Sequence, residues 1–228
     1  MTITRRLALA VSAFLAVAAP RAGLASEAHG PATEQARPGE AMRELLEGNA
    51  RFVNGKPARK ELGASRRHAL ALGQHPKAAI LSCSDSRVPP EHLFDQGLGD
   101  LFVIRLAGNV PEPAAVGSVE YAVEHLGVGL VVVLGHHSCG AVQAALQGGE
   151  PEGDVGLIVK DIEPAVRAAR AAGKNGAALE DAVVHENARR AAAALTERSA
   201  AVRRLVREGK LEIKVAVYDL ETGKLELE

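Results

Sequence analysis

Three short apolar runs, each stopping abruptly at polar residues, constrain this chain more than any other feature. Ala78-Ala79-Ile80-Leu81 runs into the polar residues 82–87, Leu101-Phe102-Val103-Ile104 meets Arg105, and residues 130–134 stop at Gly135. Runs of four or five apolar residues without alternation are strands buried on both faces, the habit of parallel sheets covered by helices. Between the second and third runs, Val116, Val119, Ala122, Val123 and Leu126 form one helical stripe over residues 114–126, which makes a βαβ unit. Helical spacing also predicts helices over 39–53, 66–72, 157–171, 179–195 and 200–207, the last closed by Gly209 in the position that favours a left-handed residue. Residues 211–217 alternate, as a strand with one wet face does, and Thr222-Gly223 turns into a final short strand. With no internal repeat and no separating linker, the expected fold is α/β. It is a single domain with a mostly parallel central sheet flanked by helices, an antiparallel edge strand near the C-terminus and an N-terminal helical arm.

The ends and the composition narrow the class of protein. Arg5 and Arg6 precede an apolar run over residues 7–19, and Arg21 leads to Ala22-Gly23-Leu24-Ala25. That is the order of an export signal, and the run is shorter than the roughly 20 residues of a membrane span. Residues 1–25 are therefore expected to be a signal peptide and residues 26–38, rich in Pro, Gly and small polar residues, a flexible lead-in to a domain over 39–228. The pair Arg5-Arg6 is also compatible with the twin-arginine route, and the expected location is periplasmic, with no membrane contact after cleavage. A formal net charge of −1 and 3% aromatic residues offer no electrostatic footprint for a phosphate backbone and little to stack on bases, so nucleic acid is not an expected partner. Two cysteines are too few for a multi-bridge secreted scaffold.

Both cysteines follow predicted strands. Cys83-Ser84-Asp85-Ser86-Arg87 comes after the first and Gly135-His136-His137-Ser138-Cys139-Gly140 after the third, and ligands of open α/β sheets bind at the carboxyl ends of strands. Cys83 and Asp85 are two apart, on one side of an extended segment; His136 and Cys139 are three apart, as on one helical turn. Two thiolates, an imidazole and a carboxylate make a tetrahedral set for zinc, with sulfur and nitrogen donors that magnesium and calcium do not favour. A Cys83–Cys139 disulfide and a purely structural zinc are the competing readings; the disulfide leaves His136, Asp85 and Arg87 unexplained. If Asp85 binds the metal the site is closed. If it pairs with Arg87, the fourth position is open to water, as a hydration or hydrolysis catalyst requires.

These residues resemble the β-class carbonic anhydrases. The likeness runs from about Gly39 to the C-terminus and includes Glu47-Gly48-Asn49, Arg51-Phe52, Gly99-Asp100-Leu101-Phe102-Val103, Ala107-Gly108-Asn109 and Gly209-Lys210-Leu211. It implies that Cys83, His136 and Cys139 hold Zn2+, that Asp85 and Arg87 form a catalytic pair, and that Asp85 is a fourth ligand in a closed state. It further implies substrate contacts from Gln74, Phe102 and Tyr121, which complete the site at the subunit boundary, a bicarbonate contact from the backbone of Gly140, and a homodimer or tetramer of dimers in which the helix over 39–53 embraces a partner. Gln74 is similar to the plant-type branch. Leu106 departs from the pattern, in which Asn is common between Arg105 and Ala107, and that bears on the pocket wall. His75, His92, His125, His137 and His185 are candidate proton shuttles, though histidines in such places are more often surface or hydrogen-bonded residues. The activity implied is reversible hydration of carbon dioxide to bicarbonate and a proton by attack of zinc-bound hydroxide. Hydrolysis of a sulfur analogue such as carbonyl sulfide or carbon disulfide, or a non-catalytic zinc-stabilised dimeric binding protein, are the alternatives.

Overall fold

A computed structural model describes residues 37–149 and 151–228; the expected signal peptide and all but the end of the lead-in lie outside these residues. Five strands, β1 (Ala78–Ser82), β2 (Leu101–Arg105), β3 (Leu130–His136), β4 (Glu212–Tyr218) and β5 (Leu225–Leu227), form one sheet in the order β2-β1-β3-β4-β5. The first four run parallel and β5 pairs antiparallel with β4 at the edge. The helices are α1 (Pro38–Val53), α2 (Ala64–Leu70), α3 (Pro90–Leu93), α4 (Pro113–His125), α5 (Gly140–Gln147), α6 (Val155–Ala171), α7 (Gly176–Arg198) and α8 (Ala200–Arg207). The α/β sheet and the antiparallel C-terminal edge are as expected. Among the described residues, no helix is long and apolar enough to cross a membrane.

The two-residue period of a strand divides the core into two layers. Ala79, Leu81, Val131 and Val133 face α4, α7 and α8, where Val119, Ala122, Ala188, Leu195 and Val202 are buried. Ala78, Ile80, Leu130, Val132 and Leu134 face the other way, onto Ala41, Met42 and Leu45 of α1 and onto Leu93 and Phe94. β1 and β3 are buried along their whole length, as continuous apolar runs predict. β2 is not: only Ile104 is fully buried, because β2 is the edge strand and has a neighbour on one side alone. The alternation over 211–217 also fails in its second half, where Ala216, Val217 and Tyr218 are all buried between β3 and β5 with helices on both faces.

The first helix also packs within its own chain. Leu45 of α1 is fully buried against the chain's own sheet, and Asn49 donates to Leu93 O at 3.1 Å and Gly223 O at 2.9 Å. Apolar side chains at helical spacing find cover within their own chain, so α1 packs as a layer of this domain.

The connection that matters for function is the crossover through α4, which leaves β2, passes over β1 and enters β3. β1 leads outward to β2, whereas β3 lies on the other side of β1. The strand order therefore switches direction between β1 and β3, and a crevice opens beyond their carboxyl ends.

Candidate metal centre

Cys83 and His136 emerge at that crevice. Ser82, the last residue of β1, is in register with Arg105 and Leu134, so Cys83 lies one residue past the strand end. β3 continues two residues beyond the apolar run and ends at His136. The convergence of His136 and Cys139 is not one helical turn, as their spacing suggests. Ser138 takes the left-handed conformation (φ 52°), folding the chain back so that Cys139 caps α5. An L-residue in that region is strained by about 1–2 kcal/mol, and here the strain sits at the turn that aims a ligand.

The donor atoms of Cys83, His136 and Cys139 all lie within 4.8 Å of one another. All three residues are buried, and both thiols are free. His136 Nδ1 donates to His137 O at 2.8 Å, which fixes the tautomer and leaves Nε2 as a lone-pair donor. Nε2 is buried and has no hydrogen-bond partner, a costly state for a polar atom unless something else binds it. Backbone N–H groups converge on both sulfurs. Gly108 N donates to Cys83 Sγ at 3.2 Å, joined by Asp85 N; Val142 N and Ala141 N, in the first turn of α5, serve Cys139. Donors aimed at sulfur favour thiolate over thiol, and a helix N-terminus adds its dipole. The Cys139 contact, helped by His136 and these N–H groups against the effect of burial, holds the Cys83 thiol well below the ordinary thiol range. Cys139 is pushed up, first by its contact with Cys83 and then by burial. Two soft sulfurs, one imidazole and pre-aimed amides fit a zinc ion.

Asp85 stands beside this cluster. Arg87 Nε donates to Oδ1 at 2.9 Å and Nη2 to Oδ2 at 2.7 Å, a bidentate pair, and Arg87 N adds a third bond to Oδ1 at 2.9 Å. These bonds to Arg87 hold the Asp85 carboxyl well below the usual carboxylate range, against burial. Oδ2 is 3.9 Å from His136 Nε2, near the cluster but engaged by arginine. Arg87 Nη2 also reaches Ser138 O at 3.2 Å, tying the first polar segment to the second. Arg87 is 54% exposed and His136 fully buried, so the carboxylate bridges solvent and the buried donors.

Gln74, Phe102 and Tyr121 are not brought to this site within the chain. Gln74 precedes β1 and lies at the opposite end of that strand from Cys83. Phe102 meets Tyr121 with tilted rings and centroids 6.0 Å apart, and Tyr121 meets His125 at 5.2 Å, while Phe102 is in register with Ala79, near the start of β1. Gly140, by contrast, is the first residue of α5, next to Cys139, and no atom lies within 4 Å of where its Cβ would be.

Three residues that shape the site carry no role in the sequence reading. Arg105, at the end of β2, donates to Cys83 O at 3.0 Å and Asp85 O at 2.5 Å and so holds the first polar segment in place. Gly108 (φ 69°) presses against α6, where a Cβ would come 2.7 Å from Ile162, and this approach lets its N–H reach Cys83. Asn187 of α7 donates to Gly108 O at 2.8 Å and fixes that turn. The pair Gly108-Asn109 signals a turn; an Asn within a helical pattern gives no comparable signal.

Residues 78–225 match the carbonic anhydrase family profile. The chain is 43% identical over 191 residues to "Carbonic anhydrase 2" of Mycobacterium tuberculosis, covering 82% of this chain and 91% of that protein. It is also 43% identical over 194 residues to a carbonic anhydrase of Mycolicibacterium smegmatis, covering 83% and 93%. The crystal structure of the β-carbonic anhydrase CafA of Aspergillus fumigatus superposes with a TM-score of 0.66 at 27% identity, over 82% of this chain and 90% of that one. With this agreement in sequence, fold and the buried cysteine-histidine cluster, the chain belongs to the β class of the carbonic anhydrase family.

Proposed function

We propose that the chain catalyses the reversible hydration of carbon dioxide to bicarbonate and a proton, with a zinc ion held by Cys83, His136 and Cys139. The observation that carries this reading is the buried, unpartnered Nε2 of His136, set within 4.8 Å of both sulfurs. Zinc in such a site supplies Lewis acidity that brings the ionisation of a bound water near pH ~7. The protein groups supply orientation. Arg87 holds Asp85 by parallel N–H···O bonds, keeping the carboxylate from serving as a fourth ligand. Asp85, an acceptor at neutral pH, takes a hydrogen bond from the nucleophile and directs its lone pair toward the substrate carbon. Gly140 N–H, at the positive end of α5, is placed to donate to the product anion. Replacing Cys139 by Ser removes one soft donor, so both zinc retention and hydration measured by stopped flow should be lost. A C139S variant with one zinc per chain and parental activity would overturn the assignment.

Gln74, Phe102 and Tyr121 enter the same reading through a second copy of the chain. They lie away from their own cluster, yet Tyr121 is 42% exposed and Leu72 83%, with Leu62 and Leu98 also exposed. Tyr121 meets Phe102 of the edge strand β2, and Leu62 and Leu98 line one cavity with Leu101 of the same strand, apolar surface that a homodimer or tetramer of dimers would bury. Light scattering at micromolar concentration should therefore give at least twice the chain mass. A monomer with intact activity would show that the pocket is completed within one chain.

A further inference from the structure

A second group of metal-ligating side chains lies at the same end of the sheet, on the far side of β3 from Cys83. His137 is the first residue past β3, with its N–H donating to Tyr218 O at 3.0 Å. Asp181 and His185 are four apart on α7, hence on one helical face. Glu226 and Glu228 are two apart across β5 and the position that follows it, hence on one side of that strand. Three elements distant in sequence thus deliver imidazoles and carboxylates to one place. His137, His185 and Glu226 each offer a donor atom within 4.8 Å of the others. Asp181 Oδ1 is 3.1 Å from His137 Nδ1 and 3.8 Å from His185 Nε2, and Glu226 Oε2 is 3.7 Å from His185 Nε2.

The arrangement around His185 is that of a prepared ligand. Its Nδ1 pairs with Glu228 Oε1, and Glu228 is fixed through its other oxygen by Arg189 at 2.8 Å. A carboxylate on one ring nitrogen orients the other nitrogen outward and makes it more basic, as in carboxylate–histidine–metal triads. Here the outward nitrogen is Nε2, and it faces Asp181 and Glu226. The rings of His137 and His185 meet edge to face with centroids 5.8 Å apart, so two imidazoles border the same small space. Metal–nitrogen bonds are about 2.0–2.1 Å, and the 59% exposed side chain of Glu226 is free to close the remaining distance.

We propose that His137, His185 and Glu226, with Asp181, form a second divalent-metal site, separate from the cysteine-histidine centre. Imidazole and carboxylate donors without sulfur select borderline ions such as Zn2+, Ni2+ and Cu2+ over calcium or magnesium. By joining β3, α7 and β5, a bound ion fastens the C-terminal edge strand to the body of the sheet.

The test uses the full chain, loaded with zinc and dialysed, and Ni2+ as the probe. Calorimetric titration should show one Ni2+ bound per chain while the zinc content stays constant, and the melting temperature should rise with Ni2+, because the ion binds only the folded arrangement. H185Q should weaken Ni2+ binding at least about tenfold, and E228Q, which removes only the orienting partner, also by about tenfold. E226Q alters an exposed side chain that folding does not need, so it keeps the test valid if H185Q fails to fold, and it too should weaken binding. No saturable Ni2+ binding, or binding unchanged in H185Q and E226Q, would overturn the proposal. C139S separates this outcome from the zinc reading, since it should lose zinc and keep the Ni2+ site.

Discussion

Asp85 and Asp95 are alike in several respects. Each is a carboxylate within a polar segment near a buried strand or helix, each meets an arginine, and each is held below the ordinary carboxylate range. Their surroundings differ in what is left over. Asp95, 4% exposed on the α1 side of the sheet, receives Arg51 and the Ala58 N–H on Oδ2 and Lys60 on Oδ1. Burial would raise its pKa, but Lys60, Ala58 N–H and Arg51 outweigh it and hold it at about 2. Asp85 has one cation, and the oxygen that Arg87 shares is turned toward His136 Nε2. A carboxylate whose bonds are closed on all sides serves the fold, whereas one held by a single partner beside an unpartnered donor is positioned to act.

The largest effects should fall on opposite readouts. Asp95→Ala strands Arg51 and Lys60 without their anion, which should cost about 3 kcal/mol of stability. For a chain of this size that lowers the melting temperature by roughly 6–12 °C, while carbon dioxide hydration per folded molecule stays at the parental level. Asp85→Asn should do the reverse, with hydration reduced by about 10²-fold through loss of the orienting acceptor and a melting temperature within about 2 °C of the parent. If Asp95→Ala lost turnover at full stability, or Asp85→Asn lost stability at full turnover, the division between the two carboxylates would be wrong.

Arg87→Ala sharpens the same contrast from the cation side. Its guanidinium is more than half exposed, so its removal costs little stability. It does release Asp85, and under the zinc reading proposed above a free carboxylate beside the ion would become a ligand. Hydration should fall by about tenfold near pH 7, because the charge-assisted pair that keeps the carboxylate aside is gone. Near pH 9 the loss should ease, because hydroxide grows more abundant while the carboxylate is already fully ionised. Asp85→Asn, which leaves no carboxylate to swing in, should show no such recovery. Parental rates for Arg87→Ala at pH 7 would make Arg87 a structural cation like Lys60.

Much of this was legible in the sequence, for a reason that particular residues make plain. Residues 78–81 and 130–134 read correctly because strands buried on both faces leave an unbroken apolar record. Residues 101–104 carry the same record and lie at an edge, since the one-dimensional pattern cannot tell an edge protected by helix α4 on one face from a central strand. Cys83, Asp85, Arg87, His136 and Cys139 were readable as a set because each pair lies close along the chain. The turn at Ser138 was not, because serine carries no signal for φ above zero. Arg105 and Asn187 reach the site across 20 and 79 residues, and contacts of that range are properties of the fold. Gln74 precedes β1 and Cys83 follows it, so the contact that family resemblance implies for Gln74 would join two copies of the chain, which spacing along one chain does not express.

The smallest expected effect is the acid dependence of stability that the Asp95 cluster contributes, and its sign follows from the depressed pKa. A carboxyl at about 2 in the folded chain, against an ordinary 3.8, binds a proton less readily folded than unfolded. Between those two values the unfolded chain carries more protons, so stability falls as pH falls. The contribution is fully present above about pH 4 and gone near pH 2, and it amounts to no more than about 2 kcal/mol. Asp85 and the thiolates also lose their partners in acid, but they do so equally in the parent and in Asp95→Ala. The difference between the two proteins therefore isolates Asp95. Urea unfolding at successive pH values should show that difference steady from pH 7 to pH 5 and shrinking from pH 4 toward pH 2. A gap that is unchanged at pH 2.5 would mean that Asp95 stabilises by packing and hydrogen bonds that survive protonation, and that its two cations are incidental.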